Sequence, residues 1–257
     1  MIRLQKVAPS GTILLDAPTT QNALSREMIR QLIDAFSDFH RDKSVRAIIL
    51  SATGTTFSSG IDLKEWQANT QDLDALEIWQ DVAGEIQELI ESMLRLPKPI
   101  LTAVDGPVYG LGLALVLASD LVLASTKATF AAAAPKYGLV SGVVAPLLTF
   151  RCGGSAAARL LLGGESIDAA EAHRLQLVHR IVPSDLIWAH ANEWSKNIAT
   201  GAAEAIQLTK RLINEMIGES IMIHLSSGSA VMATACSTEA AVEGLTAFVE
   251  KRPPKFP

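Results

Sequence analysis

YGLGLALVLASD, Tyr109 to Asp120, sets two glycines around one leucine, continues as an unbroken apolar run, and reaches a carboxylate only at Asp120. It is flanked by ILTAV (100–104) and LVLAS (121–125), both short and apolar, so the segment reads as strand, turn, buried helix and strand. A helix start presents backbone N–H groups with no partner inside the helix, and glycines at 110 and 112 would let an oxygen approach them. The same glycines also suit a tight turn or close helix packing, and these residues alone leave both readings open. GxG without a third glycine three residues on is a weak dinucleotide fingerprint.

Working outward, Thr12 to Leu15 reads as a strand. A helix is predicted from about Ser25, with Leu24, Met28, Leu32, Phe36 and Phe39 on one stripe. VRAIIL (45–50) is a buried strand that runs into SATGTTFSSG, whose small residues allow close backbone approach to a ligand. Ile78, Val82, Ile86, Leu89 and Met93 mark a second amphipathic helix, closed by LPKP, and DGPVYG (105–110) reads as a turn. DAAE (168–171) offers an aspartate N-cap with glutamate three residues on. Beyond Pro183 the pattern is almost wholly helical. The expected organisation is an α/β core over 1–195 and a helical region over 196–257.

The chain has 257 residues, enough to bury a full core, and its 49% hydrophobic but only 5% aromatic composition implies an interior of Ala, Leu, Val and Ile. Some of that apolar surface is expected to meet another subunit. Twenty-two basic against 27 acidic residues, net charge -5, with no basic run, argue against nucleic acid as a main partner. Cys152 and Cys236 belong to no metal-ligand spacing, and the five histidines (40, 173, 179, 190, 224) form no metal set or Ser/His/Asp order, so no metal is expected. No apolar run reaches the roughly 18 residues of a membrane span, and MIRLQKVAPSGTILL lacks a signal-peptide pattern. A cytoplasmic location is the expectation.

FSSGIDLKEW (57–66) places a glycine after a buried strand, as YGLG does, so two loops could supply two N–H groups to one oxygen. The ordered set NALSREM, VRAIILSATGTTFSSGIDLKE, PKPILTAVDGPVYGLGLALVLASD and EGLTAFVEKRPPKF resembles the enoyl-CoA hydratase/isomerase family, the crotonases, over nearly the whole chain. The resemblance implies a crotonase-like ββα spiral with a C-terminal helical trimerisation region, present as a homotrimer or a dimer of trimers. It also implies an acyl-CoA thioester as partner, with no cofactor beyond its CoA moiety. By position, the oxyanion donors would be the N–H groups of Ile61 and Leu111. CoA contacts would fall at Ala23 of APTTQNAL, at Ser59 and Lys64, and at Phe248 and Lys251, the last two often reaching a neighbouring subunit's ligand. Thr19 stands where many relatives carry a basic residue.

Hydration of an enoyl thioester needs proton donors and acceptors, and family hydratases use paired carboxylates. Their positions here are Ala114 and Ala134, and Gly142 occupies a third family acid position. Asp62 and Asp120 read as hydrogen-bonding structural acids, and Glu239 and Glu243 as a solvated helix face. Lys136 and Tyr137 lie close to Ala134 without an assignable direction, and Ser58, Ser59 and Ser141 lack an assignable base. Hydration or double-bond isomerisation is the family default. Decarboxylation, which needs fewer protein acids, is the alternative compatible with two alanines, and a noncatalytic acyl-CoA-binding subunit is the reading from another class.

Overall fold

The computed structural model describes residues 1–69, 75–132 and 134–257, the side chains of 69 and 215–219 aside. Strand β1 (Ile2–Val7) turns back into β2 (Ser10–Leu15), followed by α1 (Arg26–Arg41), β3 (Ala47–Ala52), α2 (Leu63–Asn69) and α3 (Ala75–Arg95). Next come β4 (Ile100–Val104), β5 (Pro107–Tyr109), α4 (Leu111–Leu117), β6 (Leu121–Ser125) and β7 (Thr129–Ala131). The rest comprises α5 (Val144–Leu161), β8 (Ser166–Asp168), α6 (Ala169–Arg174), β9 (Arg180–Val182), α7 (Ile187–Ala199), α8 (Ala203–Cys236) and α9 (Glu239–Glu250).

Among the described residues, the larger sheet runs β1-β2-β3-β4-β6-β9, with β1 antiparallel to β2 and every other pair parallel. Parallel strands are covered on both faces, which is why AIILSA, ILTAV and LVLAS are almost continuously apolar. A smaller sheet runs β5-β7-β8. The chain steps from the larger sheet to the smaller and then into a helix: β4, β5, α4, then β6, β7, α5. After β3 the step shrinks to one bridge, Ser58 with Val108, and after β2 to Leu24 with Ile61. This repeat is the expected ββα spiral.

DGPVYG is therefore not only a turn: Pro107–Tyr109 is a strand paired with Thr129–Ala131, too short to show a period in sequence. Helix α1 starts as expected, Ser25 Oγ accepting from the Met28 N–H at 3.2 Å, with Met28, Leu32 and Phe36 buried. Asp168 caps α6 in the same way, accepting from the Glu171 N–H at 2.8 Å. Position 195 lies inside α7, where Ser195 Oγ meets Ser10 Oγ at 2.6 Å beneath the larger sheet. Helix α7 runs on to Ala199, and α8 begins at Ala203. None of the described helices is long and apolar enough to cross a membrane.

Helix α8 is locked to the core by a buried cation. Lys210, only 6% exposed, places Nζ 2.7 Å from Asp120 Oδ2 and 3.1 Å from the Lys98 carbonyl. Asp120 also accepts from the Ile100 N–H at 2.7 Å, and Arg151 donates to the carbonyls of Leu117 and Ser119. Burial pushes the Lys210 ammonium below its ordinary range, and Asp120 opposes that shift. Beyond α9 the tail is tied by Glu243, which accepts from Arg252 at 2.6 and 2.9 Å and from the Lys255 N–H at 2.6 Å, so this glutamate is engaged rather than freely solvated.

Lys210→Ala leaves Asp120 without its ammonium and should destabilise the protein by ~3 kcal/mol in denaturant unfolding, whereas Lys210→Met with Asp120→Asn should recover most of that loss. The hydrogen bonds from Arg252 and Lys255 hold the Glu243 carboxyl at about 2, below its ordinary 4.5. Its stabilisation is fully present above pH 4.5 and fades as pH falls toward 2. Glu243→Gln should flatten that acid limb and speed amide exchange at Arg252 and Lys255.

Candidate active site

The site is built on a close approach of two backbones. Gly60, with φ +91°, sits against the 109–111 turn: a Cβ there would lie 3.0 Å from the Tyr109 carbonyl oxygen and 3.4 Å from the Leu111 nitrogen. Reciprocally, a Cβ on Gly110, at φ +49°, would lie 3.8 Å from Gly60 Cα. Gly112 is equally constrained, because a Cβ would meet the Ser58 Cβ at 2.6 Å. The close-packing reading of the glycine pair holds, and this packing brings the two loops side by side.

That juxtaposition decides where two N–H groups point. Leu24 donates to the Gly60 carbonyl at 2.7 Å and accepts from the Asp62 N–H at 3.1 Å, so the N–H of Ile61, between them, turns to the opposite side. Leu111 opens α4, where the N–H lies outside the helical ladder. The loops themselves are pinned. Asn22, fully buried, donates to the carbonyls of Thr53 at 2.9 Å and Thr56 at 2.8 Å, and its Oδ1 accepts from the Ala17 N–H at 2.8 Å. Ser58 Oγ donates to the Asn22 carbonyl at 2.9 Å and accepts from the Gly60 N–H at 3.1 Å.

These loops open onto a cavity of about 590 Å³. Its rim carries Thr19, Thr20, Lys64 and Lys136, whereas Trp66, Ile86, Leu139, Val144 and Met232, all buried, close the other end. Trp66 is braced by Trp79, ring centroids 5.1 Å apart, and Phe248 by Tyr137, edge-on at 5.7 Å. The gradient from polar rim to apolar end suits a ligand with one polar and one apolar part.

Of the residues expected from sequence, Ala23, Ser59, Ile61, Lys64, Leu111, Ala134 and Phe248 line the cavity. Lys251 does not line it: it ends α9 in a left-handed turn, φ 56°. Ala114 does not line it either, being fully buried within α4. Asp62 is the sole carboxylate on the cavity wall among the described residues, and its Oδ1 accepts from the N–H groups of Lys64 at 3.0 Å and Glu65 at 3.3 Å, a cap on α2. Lys136 Nζ reaches the Gly164 carbonyl at 3.3 Å. No histidine lines the cavity, and the described residues hold no group of three or more His, Cys, Asp or Glu arranged for a metal. Burial raises the thiols of Cys152 to about 11 and Cys236 to about 12, which leaves both protonated near neutrality.

Sequence reasoning missed the closed end. Trp66 carried a signal, lying one helical turn after Asp62; Ile86 and Met232 arrive from distant helices and carried none. Ser141 also lines the cavity, and its Oγ is one of two buried side-chain polar atoms without a partner among the described residues, the other being Trp79 Nε1. An unmade buried hydrogen bond costs ~1–3 kcal/mol.

The fold class is a ββα spiral with a half-apolar cavity lined by the Ile61 and Leu111 loops. The sequence model described as enoyl-CoA hydratase/isomerase matches residues 9–257, and the chain belongs to that family. A Thermus thermophilus protein provisionally named as an enoyl-CoA hydratase is 33% identical over 256 residues, covering 100% of both chains. The 1,2-epoxyphenylacetyl-CoA isomerase of Escherichia coli K12 is 28% identical, covering 95% of this chain and 94% of its own. The crystal structure of an enoyl-CoA hydratase/isomerase from Xanthobacter autotrophicus Py2 superposes with a TM-score of 0.89 at 27% identity, covering 100% of this chain and 98% of that one. The fold is crotonase-like.

Gly60→Ala and Gly110→Ala should each destabilise by ~1–2 kcal/mol in thermal or denaturant unfolding, since both force a side chain into left-handed backbone. Because they disturb one shared contact, the double variant should lose less than the sum of the singles.

Proposed function

We propose that the protein binds an acyl-CoA thioester and stabilises negative charge on its carbonyl oxygen between the N–H groups of Ile61 and Leu111. The observation that carries this reading is the Gly60–Gly110 contact, which sets two N–H groups outside the hydrogen-bond ladder side by side at the cavity. Backbone donors cost no reorganisation as charge develops, and one such donor contributes ~3–4 kcal/mol to the transition state. The pantetheine and nucleotide would pass the rim at Ala23, Ser59 and Lys64, with Phe248 as a wall, and the acyl group would enter the apolar end. Lys251 would act, if anywhere, on a neighbouring subunit's ligand in a homotrimer or a dimer of trimers.

The reaction we assign is one that needs an enolate but no pair of protein carboxylates. Alanine methyls at 114 and 134 transfer no proton, and Asp62 is occupied in capping α2. Decarboxylation meets that condition: the bond from the α-carbon to a substrate carboxylate breaks, its electron pair remains as the enolate, carbon dioxide leaves, and water returns a proton to the α-carbon. Hydration and isomerisation, the family default, need a proton carrier in place of the missing pair. The same alanines also favour, as a second reading, a subunit that binds acyl-CoA without turnover.

Incubation with crotonyl-CoA in heavy water, followed by mass spectrometry with binding measured in parallel, tests the assignment. We expect binding without addition of water. Addition of water would restore the hydratase reading, and deuterium uptake without addition would select isomerisation. With malonyl-CoA, Leu111→Pro removes one N–H at a helix position that tolerates proline, and turnover should fall ~10²–10³-fold.

A further inference from the structure

Ser141 is the cavity-lining residue whose side-chain oxygen is both buried and unpartnered among the described residues. A serine just ahead of a helix ordinarily caps it, yet α5 starts at Val144 with no side-chain cap bond. Ser141 joins that helix only through its carbonyl, which accepts from the Ala145 N–H at 2.9 Å. The hydroxyl is therefore not consumed by the local structure that would normally account for it.

The backbone on both sides of Ser141 is fixed. A Cβ on Gly138 would lie 2.1 Å from the Ala240 carbonyl oxygen, and one on Gly142 would lie 2.2 Å from that of Gly228, so the loop is seated directly on α9 and α8. The backbone that carries the hydroxyl is thus held in place before any ligand arrives. Its neighbours Leu139, Val143 and Val144 and the facing Met232 are apolar and buried. The residue is half-buried although its Oγ is sealed, and χ1 has three staggered wells, so one rotamer step exchanges the sealed position for another around the same Cβ. A lone serine hydroxyl has no base to make it a nucleophile, which leaves hydrogen bonding as its chemistry.

We propose that Ser141 is a specificity-determining residue whose hydroxyl bonds an oxygen carried on the acyl chain, so that the site prefers oxygen-bearing acyl-CoAs to plain hydrocarbon ones. The proposal rests on the acyl-CoA reading above and deepens it by naming the substrate class. A site that must pair a polar group discriminates against the analogue lacking the partner, because that group then stays unpaired in the complex.

The test is calorimetric titration of the full chain, as wild type, Ser141→Ala and Ser141→Thr, with acetoacetyl-CoA, 3-hydroxybutyryl-CoA and butyryl-CoA. Wild type should bind at least one of the oxygenated thioesters ~10-fold more tightly than butyryl-CoA, as one net hydrogen bond gives. Ser141→Ala should bring that ratio to about twofold or less with butyryl-CoA affinity unchanged, and Ser141→Thr should restore part of it. The alanine variant should melt no lower than wild type, since it removes an unpartnered hydroxyl. Equal binding of oxygenated and plain thioesters by wild type, or a preference that survives Ser141→Ala, would overturn the proposal while leaving the thioester site standing. Binding of no thioester at all, butyryl-CoA included, would overturn the acyl-CoA reading and this proposal with it.

Discussion

The contact between Gly60 and Gly110 is the constraint on which the site depends. Each glycine occupies a left-handed conformation, and each directly precedes the residue whose N–H is left free. A side chain on Gly60 would meet the opposing backbone, so the separation of the two donors is set by the thickness of two bare chains. The larger sheet and the spiral exist, from this viewpoint, to hold two loops at that spacing. Tyr109 donates to the Ser58 carbonyl at 2.9 Å and Gly110 to the Ala131 carbonyl at 3.1 Å, so three successive turns of the spiral are joined at one place.

What keeps that place rigid is a set of polar groups buried where none is needed for packing. Asn22 meets the 53–60 loop with both amide protons, at Thr53 and Thr56, and its Oδ1 accepts from the Ala17 N–H; its left-handed φ of 52° is tolerated because asparagine is among the few residues that adopt it readily. Any one of these bonds contributes only ~1 kcal/mol net, but each would cost more if left unmade, so they specify one loop conformation more than they add stability. Lys210 and Arg151 do the same for the far end of α4, tying its last carbonyls and the following Asp120 to α5 and α8. The helix that offers the Leu111 N–H is thus held at both ends.

Much of this was legible in sequence wherever it depended on local chemistry. The buried parallel strands announced themselves as short apolar runs, α1 and α6 through Ser25 and Asp168 as caps, and the donor loops through glycines placed after strands. What stayed hidden depends on elements meeting across the fold. Strand β1 was missed because IRLQKV is largely exposed and shows no clean alternation. Helix α5 was missed because Cys152, Gly153 and Gly154 break its pattern, and Gly153 indeed departs from helical geometry at φ 82°, ψ 160°. The wall formed by Trp66, Ile86 and Met232 comes from three helices whose facing sides no spacing rule relates, and the glycine seats at 138 and 142 are visible only once α8 and α9 lie against them.

The two alanines at the family's acid positions are not equivalent. Ala134 stands on the cavity wall, where a longer side chain would enter open space. Ala114 is fully buried in α4 and does not line the cavity. A glutamate restored at 114 would have to make room in a packed interior and would bury a carboxylate in apolar surroundings, a cost of several kcal/mol unless it is neutralised or paired. Carboxylates at the two positions would therefore meet different surroundings, one packed and one open to the cavity. Charge stabilisation by backbone N–H groups requires no side-chain acid, so alanine at 114 and 134 leaves the Gly60–Gly110 arrangement itself unaltered.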